Sequence, residues 1–295
     1  MKSPSAKQTA TTEELRKLLL QYRRENWNGI QTEGAQAQVV SDILSSEAAA
    51  PLRRAQKYLH LSSQSRLLDL GSGVGSFVAA CREQGLQCFG VEPDRIGNGA
   101  QLTSIQVARR RVDDQVFVAG VGEMLPFADQ SFEFVVMNQV IEHVRDQRAV
   151  FSEAVRVMKP GGVLYLACPN YLRFYEPHYK IFWIPLLPKF LGRLYLRLRG
   201  RRPILIDQIT YTTNARIKKL LRLAAPEAQV VDLHREQFLG KRSEGSFAST
   251  KVKVVNRLTQ WPVVGPAFLS LVLWLVTILA GSCEFVVIKR SRLGE

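Results

Sequence analysis

The sequence predicts an α/β protein built on a doubly wound sheet of seven strands. Two observations carry that reading. Short apolar runs alternate with helically spaced segments from residue 65 onward, and the first such run passes straight into a turn holding three glycines. A chain of 295 residues with 46% hydrophobic residues can bury a core large enough for such a sheet.

Ahead of the sheet, residues 1–11 are polar and read as frayed. From Thr12, taken as the cap, Leu15, Leu18, Leu19 and Tyr22 recur at helical spacing. A second helical stretch is expected from about Gln36 to Tyr58, broken at Pro51. The alternation then begins. Ser65–Leu70 is the first strand, Ser76–Gln84 a helix, Gln87–Val91 the second strand, and a helix follows to about Arg111. Gln115–Ala119 is the third strand, Phe132–Met137 the fourth, Ala149–Met158 a helix and Gly162–Cys168 the fifth strand. Thr213–Leu223 reads as a helix, Ala228–Leu233 as the sixth strand and Glu284–Ile288 as the seventh.

Two segments break the rhythm. Residues 171–202 are aromatic and basic, with eight Lys and Arg against the single acid Glu176. Their net charge of +7 is half of the +14 carried by the whole chain, whose 40 Lys and Arg face 26 Asp and Glu. Such an excess calls for an anionic partner: nucleic acid, a phosphorylated small molecule or an acidic membrane surface. The second segment, Val263–Cys283, is 21 residues without a charge, about 31 Å as a helix. Basic residues flank it on both sides (Lys251, Lys253 and Arg257; Lys289, Arg290 and Arg292), and a strand beyond it must return to the sheet. Both facts disfavour a true span. A helix or hairpin lying in one leaflet, a buried helix, a hydrophobic dimer contact and a C-terminal anchor stay open.

Four scattered cysteines, Cys81, Cys88, Cys168 and Cys283, have neither disulfide-framework nor zinc spacing. The first residues lack the apolar stretch of a secretory signal, so a cytoplasmic protein is expected, peripheral on the inner face of a membrane.

The chemistry sits after the first strand. Asp69-Leu-Gly71-Ser72-Gly73-Val-Gly75 joins a predicted strand to a predicted helix. Glycines there permit a tight turn and close backbone approach by a ligand, and the helix start offers N–H donors. The spacing is GxGxG rather than the GxGxxG of dinucleotide sites, which argues against a nicotinamide dehydrogenase. Glu92 closes the second strand, where a carboxylate can accept from both hydroxyls of a ribose.

Together with Gly122-Glu-Met-Leu-Pro-Phe127, Ser131-Phe-Glu-Phe-Val-Val136, Ile141-Glu-His-Val144 and Val155-Arg-Val-Met-Lys-Pro-Gly-Gly162, the loop resembles class I methyltransferases that use S-adenosylmethionine (SAM). The set looks most like the branch of the ubiquinone and menaquinone biosynthesis enzymes and covers roughly residues 60–170. The resemblance implies a Rossmann-like sheet, mostly parallel with an antiparallel last strand, preceded by N-terminal helices (1–60). A SAM-binding core (61–170), a helical lid (171–210) and a C-terminal part of the core (211–295) follow. It further implies that Asp69, Gly71, Ser72 and Gly73 hold the methionine part of SAM and Glu92 the ribose. Gly122 and Glu123 lie along the adenine, and Asn138 and Gln139 face the methionine end and the acceptor. Where the family usually has an Asp for the adenine amino group, this chain has Val121.

His143 is the candidate catalytic base. Glu142-His143 with His178 is also similar to the Glu-x-x-Glu-His pattern of magnesium-binding methyltransferases. Gln139 replaces the first carboxylate of that pattern, so no metal is expected. Cys168 reads as a buried small hydrophobe rather than a nucleophile. The expected activity is O-methylation of a small hydrophobic or lipid-linked acceptor at a membrane surface. The alternatives are an RNA methyltransferase and a non-catalytic SAM-binding module on a membrane. For the former, Asn138-Gln-Val-Ile141 stands where exocyclic-amine enzymes carry Asn/Asp-Pro-Pro-Tyr/Phe.

Overall fold

The structure is a computed structural model that describes residues 11–26, 40, 43, 46–94, 102–176, 178–244 and 265–290. Seven strands form one sheet: β1 (Arg66–Leu70), β2 (Gln87–Glu92), β3 (Phe117–Ala119), β4 (Phe132–Asn138), β5 (Met158–Pro169), β8 (Gln229–Asp232) and β9 (Ser282–Ile288). Their order is β3-β2-β1-β4-β5-β9-β8. Pairing is parallel from β3 to β5, and β9 runs antiparallel to both its neighbours. The doubly wound sheet with an antiparallel last strand is therefore as expected.

Both faces of the sheet are covered, which is why its central strands read as continuous apolar runs rather than as alternation. Successive side chains point to opposite faces. Leu68, Val135, Met137, Leu164 and Leu166 pack on one side with Phe151 and Leu221, while Leu67, Phe134, Val136, Val163 and Tyr165 pack on the other with Phe77 and Ile105. These contacts bring in the helices α3 (Ser76–Glu83), α4 (Ser104–Arg111), α5 (Gln147–Val157) and α8 (Asn214–Ala224). Strand order reverses at β1 between β2 and β4, and the crevice beyond the carboxyl ends of β1 and β4 is where such sheets bind ligands.

Several local readings are corrected. Helix α1 (Thr12–Asn26) is capped by Thr11, not Thr12. The Thr11 side chain accepts from the Glu14 N–H at 3.3 Å, and Glu14 accepts from the Thr11 N–H at 2.8 Å, a reciprocal box that needs its acid three residues on. The stretch expected as one helix to Tyr58 becomes the 3₁₀ turn Ser46–Ala49, the helix α2 (Ala50–Ala55) and a second 3₁₀ turn. Pro51 does not break that helix but lies in its first turn, where its missing N–H costs nothing. The earlier part of that stretch, and residues 1–10, lie outside the described residues. Strand β5 starts four residues early: Gly161 takes φ +75° and Gly162 is packed against the Lys159 carbonyl, so the Lys-Pro-Gly-Gly turn is absorbed into the strand.

The lid is only partly helical. It opens with a hairpin of β6 (Tyr175–Glu176) and β7 (Ile181–Phe182), followed by α6 (Lys189–Leu198) and α7 (Ile204–Gln208), around a small core of Tyr179, Ile181, Trp183, Leu196 and Ile206. The apolar run forms α10 (Gly265–Leu279), 15 residues, and its last residues pass into β9. Among the described residues no helix is long and apolar enough to cross a membrane. Carbonyls at the end of α10 are bonded by side chains of the core: Asn170 donates to Ile278 and Ala280, and Asn214 to Thr277. Helix α9 (Leu233–Glu244) completes the described chain between β8 and α10.

Candidate active site

A cleft of about 320 Å³ opens at the switch point. Leu70, Gly71, Val91, Pro93, Gly120, Val121, Gly122 and Glu123 line it from the first three strands' ends, and Val140, His143, Val144 and Arg145 from the segment after β4. Of the residues singled out by sequence, Gly71, Gly122, Glu123 and His143 line this cleft directly.

The loop explains its own glycines. Gly71, Gly73 and Gly75 all hold positive φ (+76°, +52° and +74°), where a side chain is strained. A Cβ at Gly71 would come within 2.5 Å of Val140, and one at Gly75 within 2.8 Å of Phe117. Gly73 alone has open space at that position, so there the requirement is conformational and the backbone is left bare for a ligand. Ser72 is buried, and its Oγ has no hydrogen-bond partner among the described residues.

Beneath and beside the loop stand two acids. Asp69 is buried, and burial followed by the nearby charge of Glu92 pushes its pKa up to about 8. The Glu92 carboxylate accepts from the Gly73 N–H at 3.0 Å and from the Ser104 hydroxyl at 2.7 Å. Burial raises its pKa against those two bonds. Each oxygen of Glu92 retains capacity to accept from a further donor, although Glu92, like Asp69, Ser72 and Gly73, is not among the residues that line the cleft. A bare glycine backbone, an orphaned hydroxyl, a held carboxylate and apolar walls at Leu70, Val91, Val121 and Val140 fit an adenosyl ligand with a polar amino-acid tail.

Glu123 has a second task that sequence did not show. Its Oε1 accepts from the amides of Arg145 and Asp146 at 3.0 and 3.4 Å, tying the β3 side of the cleft to the entrance of α5. Glu123 lines the cleft beside Gly122 and Val121. Asn138 and Gln139 end β4 and are exposed; neither is among the cleft's lining residues, and Gln139 holds the left-handed turn at φ +59°.

His143 is 40% exposed by its side chain, on the turn closed by its own N–H bond to the Val140 carbonyl. Burial of the ring and the neighbouring His178 lower its pKa to about 4, so it is a neutral imidazole near neutral pH. Glu142 beside it is fully buried, and burial pushes its carboxyl up to about 7. The lid reaches this turn at two points: His178 packs edge-on against His143 at 5.4 Å, and the Thr210 N–H donates to the Glu142 carbonyl at 2.7 Å.

Tyr22 was read only as part of a helical stripe. Burial, then the charge of Glu92, raises its hydroxyl pKa, which sets α1 beside Glu92. Leu19 and Val107 share a cluster with Val74 of the glycine loop, so α1 covers that loop. The spacing of Leu15, Leu19 and Tyr22 announced a buried face, but nothing local named its partner.

Fold and cleft together give the core a Rossmann-like architecture with a cleft at its switch point that suits an adenosyl ligand. Residues 68–166 match a protein family described as a methyltransferase domain. An uncharacterized methyltransferase of Mycolicibacterium vanbaalenii is 32% identical over 139 residues, 46% of this chain and 52% of that protein. One of Mycobacterium leprae is 36% identical over 113 residues, 38% of this chain and 40% of its own length. The chain thus spans about half or less of the curated relatives it matches. Among solved structures, phosphoethanolamine N-methyltransferase 2 of Haemonchus contortus, in complex with phosphomonomethylethanolamine and S-adenosylhomocysteine, shares the fold. It has a TM-score of 0.50 and 16% identity, over 95% of this chain and 58% of that one.

Proposed function

We propose that the protein methylates an oxygen of a small hydrophobic or lipid-linked acceptor, using SAM, while resting on an anionic membrane surface on the cytoplasmic side. One observation carries the reading. The lid that packs His178 against His143 also displays Phe174, Phe182, Ile184, Phe190, Leu191 and Leu194 to solvent, from 40 to 62% exposed. An apolar display of that size, set among Arg193, Arg197, Arg199, Arg201 and Arg202, suits acyl chains below and anionic headgroups around. The motif likeness to enzymes of ubiquinone and menaquinone synthesis supports an acceptor of the same solubility.

SAM supplies an activated methyl on a sulfonium, so the protein's work is alignment and exclusion of water. Gly71 to Gly73 and Asp69 would hold its methionine part, Glu92 its ribose, and Gly122 and Glu123 its adenine. The lid meets the turn that carries His143, and neutral His143 can accept the proton that an acceptor hydroxyl gives up.

The test pairs flotation with turnover. The full chain is mixed with vesicles of phosphatidylglycerol and phosphatidylcholine, then given labelled SAM and extracted bacterial lipids. Flotation that weakens with salt, with label entering the lipid fraction, is the expected result. Label entering added RNA instead, or no flotation at any lipid composition, contradicts the reading.

A further inference from the structure

We infer, resting on the membrane reading given above, that α10 is the element that enters the bilayer, lying flat in one leaflet with Leu271, Trp274 and Leu275 among the acyl chains. Helix α10 has no charged residue, and its only polar side chains are Ser270 and Thr277. Of its described side chains just Val272 and Leu273 are buried, while Leu271, Trp274 and Leu275 are 49, 59 and 38% exposed. Ala267, Leu271, Trp274 and Ile278 recur at helical spacing, so they form one stripe along the helix. A surface helix ordinarily turns its apolar stripe to the core and a polar face to water; here the outward face is apolar as well.

The fold decides how such a helix can meet lipid. At 15 residues it is about 22 Å long, short of the roughly 30 Å that spanning takes. Its inner side packs on α9. Its far end is tied down: Asn170 donates to the Ile278 and Ala280 carbonyls, and the chain passes at once into β9, whose Ser282 pairs with Pro169 of β5. A short helix fastened along one side and at its end enters a bilayer in the plane, not across it.

Charge and continuity favour lipid over a second copy of the chain. From Gly245 to Cys283 there is no Asp or Glu, whereas Lys251, Lys253 and Arg257 stand there, a composition that suits anionic headgroups. Tryptophan is at home where headgroups meet acyl chains. The end of α10 also meets the start of the lid: Gly281 lies so close to the Arg173 guanidinium that it leaves no room for a Cβ. Phe174, the next residue, is exposed and stacks on Phe182 at 5.8 Å. The two apolar displays thus adjoin at the carboxyl edge of the sheet, where the cofactor cleft opens. Without charge of its own α10 is not drawn to headgroups from a distance, so the basic lid docks first and α10 inserts after it.

The full chain is mixed with phosphatidylglycerol and phosphatidylcholine vesicles whose acyl chains carry bromine, which quenches tryptophan on contact. Quenching is expected in the wild type, and most of it should vanish in Trp274→Phe. Changing both Leu271 and Leu275 to Gln should weaken vesicle binding at least about tenfold and leave the melting temperature within a few degrees of wild type. Flotation with quenching that Trp274→Phe leaves unchanged, or a doubly substituted chain that binds vesicles as the wild type does, overturns the inference and leaves the lid contact standing. A dimer in lipid-free solution that the same substitutions split would place a second copy on this face and overturn it as well. Absence of flotation removes both this inference and the membrane reading.

Discussion

Gly71 and Val140 meet at the switch point of the sheet: a single added carbon on the glycine would lie 2.5 Å from the valine's Cγ2. The turn after β1 and the turn after β4 are thus packed without slack, and the floor of the cleft depends on that contact. Gly71→Ala adds both the clash and a side chain at φ +76°. A loss of about 2–4 kcal/mol of stability is expected, with SAM binding weakened beyond detection. Denaturant melts and calorimetry check this; a variant with wild-type stability and affinity would show that the two turns are free to part.

Asp69 makes the stability of the ligand-free protein depend on pH. Its pKa is raised from 3.8 in the unfolded chain to about 8 in the fold. The folded state therefore holds a proton that the unfolded state has lost between those values. Its contribution is full below about pH 4 and fades as pH rises through about 8, with a slope of up to about 1.4 kcal/mol per pH unit. Asp69→Asn keeps the shape without the proton, so it should melt higher than wild type at pH 8 and no higher at pH 4. Parallel pH profiles for the two proteins would refute this.

His143→Ala is expected to lower turnover about 100-fold or more while SAM affinity stays within about threefold. The ring edges the cleft from the turn after β4, and the Glu92 carboxylate is held by Gly73 and Ser104 rather than by His143. Loss of affinity in step with turnover would make His143 a cofactor residue instead.

Phe190 and Leu194 lie one turn apart on α6, 62% and 53% exposed. Changing both to Glu should leave the melting temperature within a few degrees of wild type and abolish flotation with anionic vesicles. Flotation that survives would move the lipid contact elsewhere.

The sequence made the cofactor half of this site legible and most of the acceptor half invisible. Gly71, Gly73 and Glu92 announce themselves because the proposed nucleotide site would impose local spacing: a turn that only glycine can make, and an acid at the next strand's end. The sheet was equally plain, since burial on both faces leaves long apolar runs. What could not be read was convergence through space. Nothing near Glu142 in the chain says that His178 arrives from a hairpin, or that Glu176 turns it. Glu123 was visible as a cleft residue but not as the acceptor for the amides entering α5. The charge-free run overstated its helix for a related reason. Ser282 and Cys283 are uncharged and so extend the pattern but belong to β9, where Cys283 pairs with Cys168 of the neighbouring strand.

The claim beneath all of this is that Glu92, held by Gly73 and Ser104, receives the ribose of an adenosyl ligand. Titration of S-adenosylhomocysteine into the wild-type chain and into Glu92→Ala by calorimetry tests it most directly. One site per chain is expected in the wild type, with affinity lower by a factor of at least about ten in the variant, since a charge-assisted bond is worth about 1.5–3 kcal/mol. Equal affinity in both proteins, or no binding to either, would contradict the account.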